Sequence, residues 1–271
     1  MSLRINLNVA ALNAHRNLQA TDNALGLSIE RLSSGFRINR AADDPAGLAI
    51  SENLRAQVSG LGQAIANSTD AVNLIRTAEG ALSEVQNILR TMRNLALHAA
   101  STGTNDTTAL NADQTQIESL ISALDRIAAN TQFGTLVLLN GTATDLVFQI
   151  GANANQTTTL DIGSVKASDL GVDDIDVTDD AQAAITALDT AISTVSTQRA
   201  TLGATQRDLE SNINSLGVAR ENIAASESSI RDADMAAEMV QFTRNQILLQ
   251  AGTAMLTQAN AAPQALLALL K

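Results

Sequence analysis

The 271 residues contain no cysteine, no tryptophan and no tyrosine, and only four phenylalanines and two prolines. Without cysteine there are no disulfides, no thiolate metal sites and no cysteine nucleophiles. So few aromatics do not suit a compact core of this length. The abundance of Ala, Leu, Asn and Thr fits long helices packed through small aliphatic side chains. No apolar run approaches 18 residues, so no membrane span is expected. The first residues, MSLRINLNVAALNAHRNLQA, place Arg4, Asn6, Asn8, Asn13 and His15 where a signal peptide needs an unbroken apolar stretch. Export from such a start requires a route that cleaves no leader.

Charge is uneven. The chain carries −11 in total, yet residues 1–40 hold five arginines against Asp22 and Glu30. Residues 235–271 hold Arg244 and Lys271 against Glu238, so the middle is strongly acidic. Seven aspartates fall within 161–180. An acidic, aromatic-poor chain is a poor nucleic-acid binder, and none is expected as a partner. The distribution suggests a solvated middle and ends that become buried.

The strongest positive signal is a ladder of aliphatic residues at every seventh position: Leu188, Val195, Leu202, Leu209, Leu216, Ile223 and Ile230. Ile185, Ile192 and Ile213 fill positions three residues before some of these. A strict seven-residue spacing keeps one stripe of a helix against a partner helix. At about 1.5 Å per residue this is a rod of roughly 70 Å, which cannot bury its stripe on itself. Arg199, Gln206, Arg220 and Glu227 interrupt the seam and are expected at the rim of a broader bundle or on a contact between molecules.

Partners for the rod come from the first half. Leu18, Leu25, Ile29, Leu32 and Phe36 share one helical face. Asp44-Pro45 is a helix start, with Asp44 as N-cap and Pro45 in the first turn. A second stripe follows through Val58, Leu61, Ile65, Val72, Ile75 and Leu82, slips phase by one residue at Val85, and resumes at Leu89 and Met92. Residues 102–106 read as a turn, and Leu110 to Ile127 as a third helix running back antiparallel. Residues 134–164 are rich in Gly, Thr and Asn and read as short strands, with a hairpin turning near Asn153–Gln156. Helix resumes near Asp180. A last helix from about Asp232 carries Met235, Met239, Phe242, Leu249 and Leu256 on one face, with a late bend at Pro263. The expected fold is mainly α: a discontinuous long-helix, coiled-coil bundle with a small β-hairpin region and the two terminal helices together. Its core would include Leu61, Ile65, Leu82, Leu89 and the seven ladder residues.

Sites of chemistry are scarce. His15 and His98 stand alone without metal-ligand spacing, and both read as exposed polar positions on helices. Asp173, Asp174, Asp176, Asp179 and Asp180 lack the glycine and terminal Glu of an EF-hand loop, so they read as a solvated acidic segment. Neither catalysis nor a cofactor nor a metal is expected.

Certain segments carry a family resemblance. INLNVAALNA and RLSSGFRINRAADDPAGLAI stand near the N-terminus, and IRTAEGALSEVQNILRTMRNLALH occupies 75–98. RATLGATQRDLESNINSL, ASESSIRDADMAAEMVQFTRNQIL and QANAAPQALLALL stand near the C-terminus. Together they resemble bacterial flagellin over about the first 135 and last 90 residues. FQIGANANQTTTLDIGS fits the family's hairpin region, and the large outer domains of longer members have no room.

The resemblance implies a secreted filament subunit of the extracellular flagellum, serving motility. Residues 1–43 plus 235–271 would form an inner domain of paired terminal helices, the filament core. Residues 44–234 would form an outer helical layer with the hairpin at about 134–164. The subunit would leave the cell unfolded through the flagellar type III export apparatus, after its C-terminal helix is held by an export chaperone, and would meet the filament cap. Polymerisation and chaperone contacts would use Leu18, Leu25, Ile29, Leu32, Met239, Phe242, Leu249 and Leu256. Both ends would be largely disordered until assembly, because their apolar stripes find no partner within the free subunit.

The family's animal Toll-like receptor reads a segment that corresponds here to Arg90–His98. The usual central arginine aligns with Thr91, and the acidic residue of the next helix with Gln116, while Arg90, Arg93 and Leu95 complete the face. Weak receptor activation is therefore expected, since threonine lacks the planar five-donor fork of arginine. A hook–filament junction protein has similar ends, but the RLSSGFRINRAADDPAG run favours flagellin. A soluble coiled-coil adaptor or secreted effector is the alternative from another class.

Overall fold

The computed structural model describes residues 7–101, 103 and 105–269, the last eight as backbone alone. Six helices and four short strands follow in the order α1 (Val9–Ser34), α2 (Pro45–Ala99), α3 (Thr107–Asn130), β1 (Gln132–Phe133), β2 (Leu136–Val137), β3 (Leu146–Gln149), β4 (Thr157–Leu160), α4 (Ala167–Leu170), α5 (Ala181–Arg231) and α6 (Met235–Leu269).

Each long helix starts where a short polar side chain accepts the backbone N–H groups that the first turn leaves unpaired. Asn8 accepts from Ala11 N at 3.1 Å. Asp44 accepts from Gly47 N at 2.9 Å, with Pro45 at the first helical position. Asp106 accepts from Ala109 N, Asp180 from Gln182 N and Ala183 N, and Asp234 from Ala236 N and Ala237 N. α6 runs on through Pro263 as helix, with no break where a bend was expected.

Two compact units divide the chain: Met1–Ala56 with Asn222–Lys271, and Gln57–Glu221. The boundaries fall inside α2 and α5 rather than at the helix starts.

The larger unit holds the main apolar core. On α2, buried residues recur as two interleaved sevens: Leu61, Ser68, Ile75, Leu82, Leu89, Ala96, and Ala64, Ala71, Ala78, Val85, Met92, Ala99. This stripe never slips. The apparent phase change at Val85 arises because Ala and Ser occupy half of the true seam, and the eye follows the larger Ile65 and Val72 beside it. Ile65 is only half-buried. On α5, Leu188, Val195, Leu202 and Leu209 are buried, whereas Leu216 is half-buried. In the terminal unit Ile223 and Ile230 are half-buried as well.

Polar cross-links set the antiparallel register of α2 and α5. Arg93 Nε donates to Asp189 at 2.6 Å, Gln86 to Ser196 at 3.1 Å, and Arg76 to Glu210 at 3.2 Å. Arg199 lies half-buried between the Gln86 and Glu79 side chains, the rim position expected for it.

Two hairpins follow α3. β3 pairs antiparallel with β4, Leu146 opposite Leu160 and Gln149 opposite Thr157, around a turn in which Asn155 has φ 65°. The β1–β2 hairpin was not expected; its two-residue strands turn at Gly134, φ 61°. The acidic stretch is only partly a solvated loop. Its aspartates at 173, 174, 176, 179 and 180 are exposed, but Val172, Ile175 and Val177 enter the core. Gln114 on α3 clamps it, donating to Ile175 O and accepting from Val177 N, each at 3.0 Å. The one-turn α4 was likewise unforeseen.

The core geometry separates two ladder positions. Leu209 is 1% exposed, so Leu209→Asp should destabilise the unit by about 3–5 kcal/mol, the cost of an unpaired buried carboxylate. Leu216→Asp, at a half-buried site, should cost clearly less. Thermal unfolding followed by circular dichroism checks this; equal losses would contradict the described burial.

Candidate assembly surface

α1 and α6 pack against each other and run antiparallel. Asn8 at the start of α1 donates to Ala259 O at 2.8 Å, and Arg31 near its end faces Glu238 at 3.6 Å. The residues shielded by this pairing keep a three–four spacing on both helices. On α1 they are Ala11, Ala14, Leu18, Thr21, Leu25, Ser28 and Leu32; on α6 they are Glu238, Phe242, Asn245, Leu249, Gly252, Leu256 and Ala259. This is the two-helix seam of a coiled coil. Gly252 belongs there because a Cβ at that position would stand 2.9 Å from Leu18 Cδ1.

Six of the eight residues assigned to polymerisation therefore lie in a seam inside the subunit: Leu18, Leu25, Leu32, Phe242, Leu249 and Leu256. The stripes that lacked a partner in the free chain are partners of each other. Ile29 and Met239 remain exposed. The seam is thin: on α1, Ser28 alone is fully buried.

A second apolar surface lies outside the seam. Val240 is 68% exposed and Ile247 60%, and both point away from α1 by their position around the helix. Met235, Met239, Leu248 and Met255 flank them. Met239, Val240, Thr243, Arg244, Ile247 and Leu248 together line a shallow groove. Over Met235–Leu269 the only charged residues are Glu238 and Arg244. So few charges and so many exposed large apolar side chains suit a helix that is largely covered, yet α1 covers one side only. Val9, Leu12 and Leu27 leave α1 similarly open. These residues sit off the heptad, so a search for one stripe passes over them; a count of charges around the whole of α6 reveals them.

The segment between α1 and α2 is built as a joint on the end of α5. Gly35 ends α1 at φ 75° and donates to Arg31 O at 2.8 Å. Phe36 bridges to Asp232, Arg37 N donates to Arg231 O at 2.7 Å, and Ala233 N to Gly35 O at 2.9 Å. The buried Arg231 guanidinium meets Glu52 at 2.6 Å and stacks 4.7 Å from the Phe36 ring centre. The Arg37 guanidinium reaches Ile230 O. Asp43 accepts from Arg40 N at 2.9 Å and Asn39 N at 3.1 Å, and these two bonds hold its carboxyl below the usual carboxylate range. Glu30 holds the Arg40 and Asn39 side chains at 2.8 Å. The unusual run RLSSGFRINRAADDPAG is thus a wiring of backbone and charge rather than a helix face.

On the other unit, the residues aligned with the family's receptor segment lie along α2. Arg90 and Thr91 are exposed, Met92 is buried and Leu95 half-buried. Thr91 Oγ1 bonds back to Asn87 O at 2.9 Å. Arg93 grips Asp189 with two bonds, which lower the Asp189 carboxyl and raise the Arg93 guanidinium from their ordinary values. Its fork is already occupied. Gln116 on α3 is exposed. His15 is exposed on α1, and the exposed His98 contacts the carboxylate of buried Asp113 at 2.7 Å.

Comparisons with known proteins agree on one family. Residues 5–144 match the bacterial flagellin N-terminal helical region, and residues 185–270 its C-terminal helical region. The flagellin of Bacillus subtilis (strain 168) is 46% identical, over 99% of this chain and 100% of that protein. The flagellin of Halalkalibacterium halodurans is 48% identical, over 98% and 99%. The flagellar filament 33 kDa core protein of Treponema phagedenis is 41% identical, over 98% and 99%. The crystal structure of Bacillus cereus flagellin superposes at a TM-score of 0.51 and 33% identity, over 56% of this chain and 88% of that one.

The joint carries an acid sensitivity. Because the folded pKa of Asp43 lies below the ordinary carboxylate value, its contribution is full above that ordinary value and fades as pH falls through the lowered one. Asp43→Ala should lower thermal stability at neutral pH and leave a shallower decline on acidification than in the wild type. Parallel unfolding curves at all pH values would contradict this role.

Proposed function

The chain belongs to the bacterial flagellin family, and from that premise we propose how its parts divide the work of a filament subunit. It is a structural protein of the extracellular flagellar filament, polymerising with copies of itself for motility, and it is not an enzyme. In our reading, residues 1–43 plus 235–271 form the filament core and residues 44–234 the surrounding layer with its hairpin at about 134–164. The observation that carries this is α6, which holds only two charged residues and leaves Met239, Val240, Ile247, Leu248 and Met255 exposed on the sides that α1 does not cover. In the filament, further copies of α1 and α6, repeated by a helical operation that does not close, supply the missing cover.

The remaining partners follow from the same premise. The subunit leaves the cell unfolded through the flagellar type III export apparatus and is placed beneath the filament cap. Before export, a chaperone holds α6, whose outer face exposes Val240, Ile247 and Leu248. Leu18, Leu25, Leu32, Phe242, Leu249 and Leu256 act by holding α1 on α6, and Ile29 and Met239 act directly at contacts between subunits. Among the described residues no helix is long and apolar enough to cross a membrane. The Toll-like receptor face is weak: Thr91 stands where a free guanidinium is needed, Arg93 is held by Asp189, and Arg90 is rotated about 100° from Thr91 around the helix.

Two measurements test these readings. Ile247→Asp should keep wild-type helicity and thermal unfolding of the larger unit yet fail to elongate filament seeds by electron microscopy. Leu256→Asp should also fail, by loosening the α1–α6 seam. Normal filaments from Ile247→Asp would remove the outer face of α6 from assembly. In a receptor reporter assay the wild type should signal weakly, and Thr91→Arg should raise potency by about tenfold or more, as restoring a central charged contact does. Full wild-type activity with no gain from the arginine would defeat that assignment.

A further inference from the structure

The lack of cysteine, tryptophan and tyrosine leaves methionine as the readily oxidised side chain of this chain, and the methionines are not scattered. Met1 aside, there are four. Met92 is sealed in the α2 seam at 0% exposure. Met235, Met239 and Met255 are 46%, 50% and 64% exposed, and all three are on α6. Met239 borders the groove with Val240 and Ile247. Met255 borders a second groove, against Leu18 and Thr21 of α1. Oxidant chemistry on this protein is therefore concentrated on its assembly helix.

We propose that Met235, Met239 and Met255 form a reversible oxidation site through which peroxide-class oxidants block addition of free subunits to the filament. Hydrogen peroxide transfers one oxygen atom to the thioether sulfur. The O–O bond breaks, an S–O bond forms, the sulfur loses two electrons, and the peroxide is reduced to water. The product is a polar, chiral sulfoxide in exposed apolar surface of α6 that assembly would bury, where a strong acceptor without a donor is costly. Subunits already in the filament have these sulfurs covered, so the free subunit is the sensitive species. The inference rests on the reading of the outer α6 face as a contact between copies.

The test uses the full purified chain, treated or not with hydrogen peroxide, added to filament seeds. Peptide mass spectrometry should show sulfoxide at Met235, Met239 and Met255 well before Met92. Elongation of treated wild type relative to untreated should fall about tenfold or more, and methionine sulfoxide reductases A and B together should restore it. In M235L/M239L/M255L the same ratio should stay near one, whatever the variant's own rate. If that variant does not assemble, the wild-type ratio and its recovery decide. Unchanged elongation with all three sulfurs oxidised overturns the proposal, as does loss that the reductases do not reverse. Val240→Asp separates the two readings. If it blocks elongation while oxidation does not, the contact surface stands and the oxidation site falls; if neither blocks, both fall.

Discussion

Small side chains in a heptad seam decide how α2 can be used. Six of the twelve positions in the two seven-residue series between Leu61 and Ala99 are Ala or Ser, so neighbouring segments come close to its backbone without large aromatic spacers. Dispersion contacts at that spacing are individually slight and large in sum. The chain thereby builds a core from Leu, Ile, Val and Ala with almost no rings, which is why its composition departs so far from a globular norm. Ser68 is tolerated in the seam because its hydroxyl donates to Ala64 O at 2.8 Å within the same helix.

Apolar packing of this kind is permissive about register, and the polar pairs between α2 and α5 are not. Arg93–Asp189, Gln86–Ser196 and Arg76–Glu210 lie at successive levels of an antiparallel pair. Exposed ion pairs contribute little to stability individually. Their effect is discrimination: sliding one helix by a heptad preserves the apolar stripe and breaks every one of these partnerships. Arg199, an intruder in the ladder by hydropathy alone, belongs to this set through Gln86 and Glu79.

The helix starts at Asp44 and near Asp180 were legible because a short capping side chain stands where the pattern begins, whereas Asp106, read as part of a turn, proves to be the cap of α3. The seven-residue ladder was legible because Leu and Val are large. The α2 seam was misread where Ala replaces them, since a methyl group signals weakly against a neighbouring Ile65. The β1–β2 pair and α4 are too short to show any period, and their positions depend on tertiary bonds such as Asp125 accepting from Ala167 N. At the ends, a search for one stripe found the seam between α1 and α6 and passed over the exposed outer face of α6. The exposed Val240 and Ile247 lie off that seam, on the side of α6 opposite the residues facing α1.

The pairing of α1 with α6 also orders events in time. Asn8 bonds Ala259, 251 positions later, so the first helix to leave the ribosome has no partner until the last has been made. Contacts so distant in sequence close slowly, because the loop entropy is lost before any contact compensates it. A nascent chain with this topology stays open at both ends throughout synthesis. That delay keeps it threadable, the state in which a polypeptide can enter a conduit too narrow for a folded helix bundle.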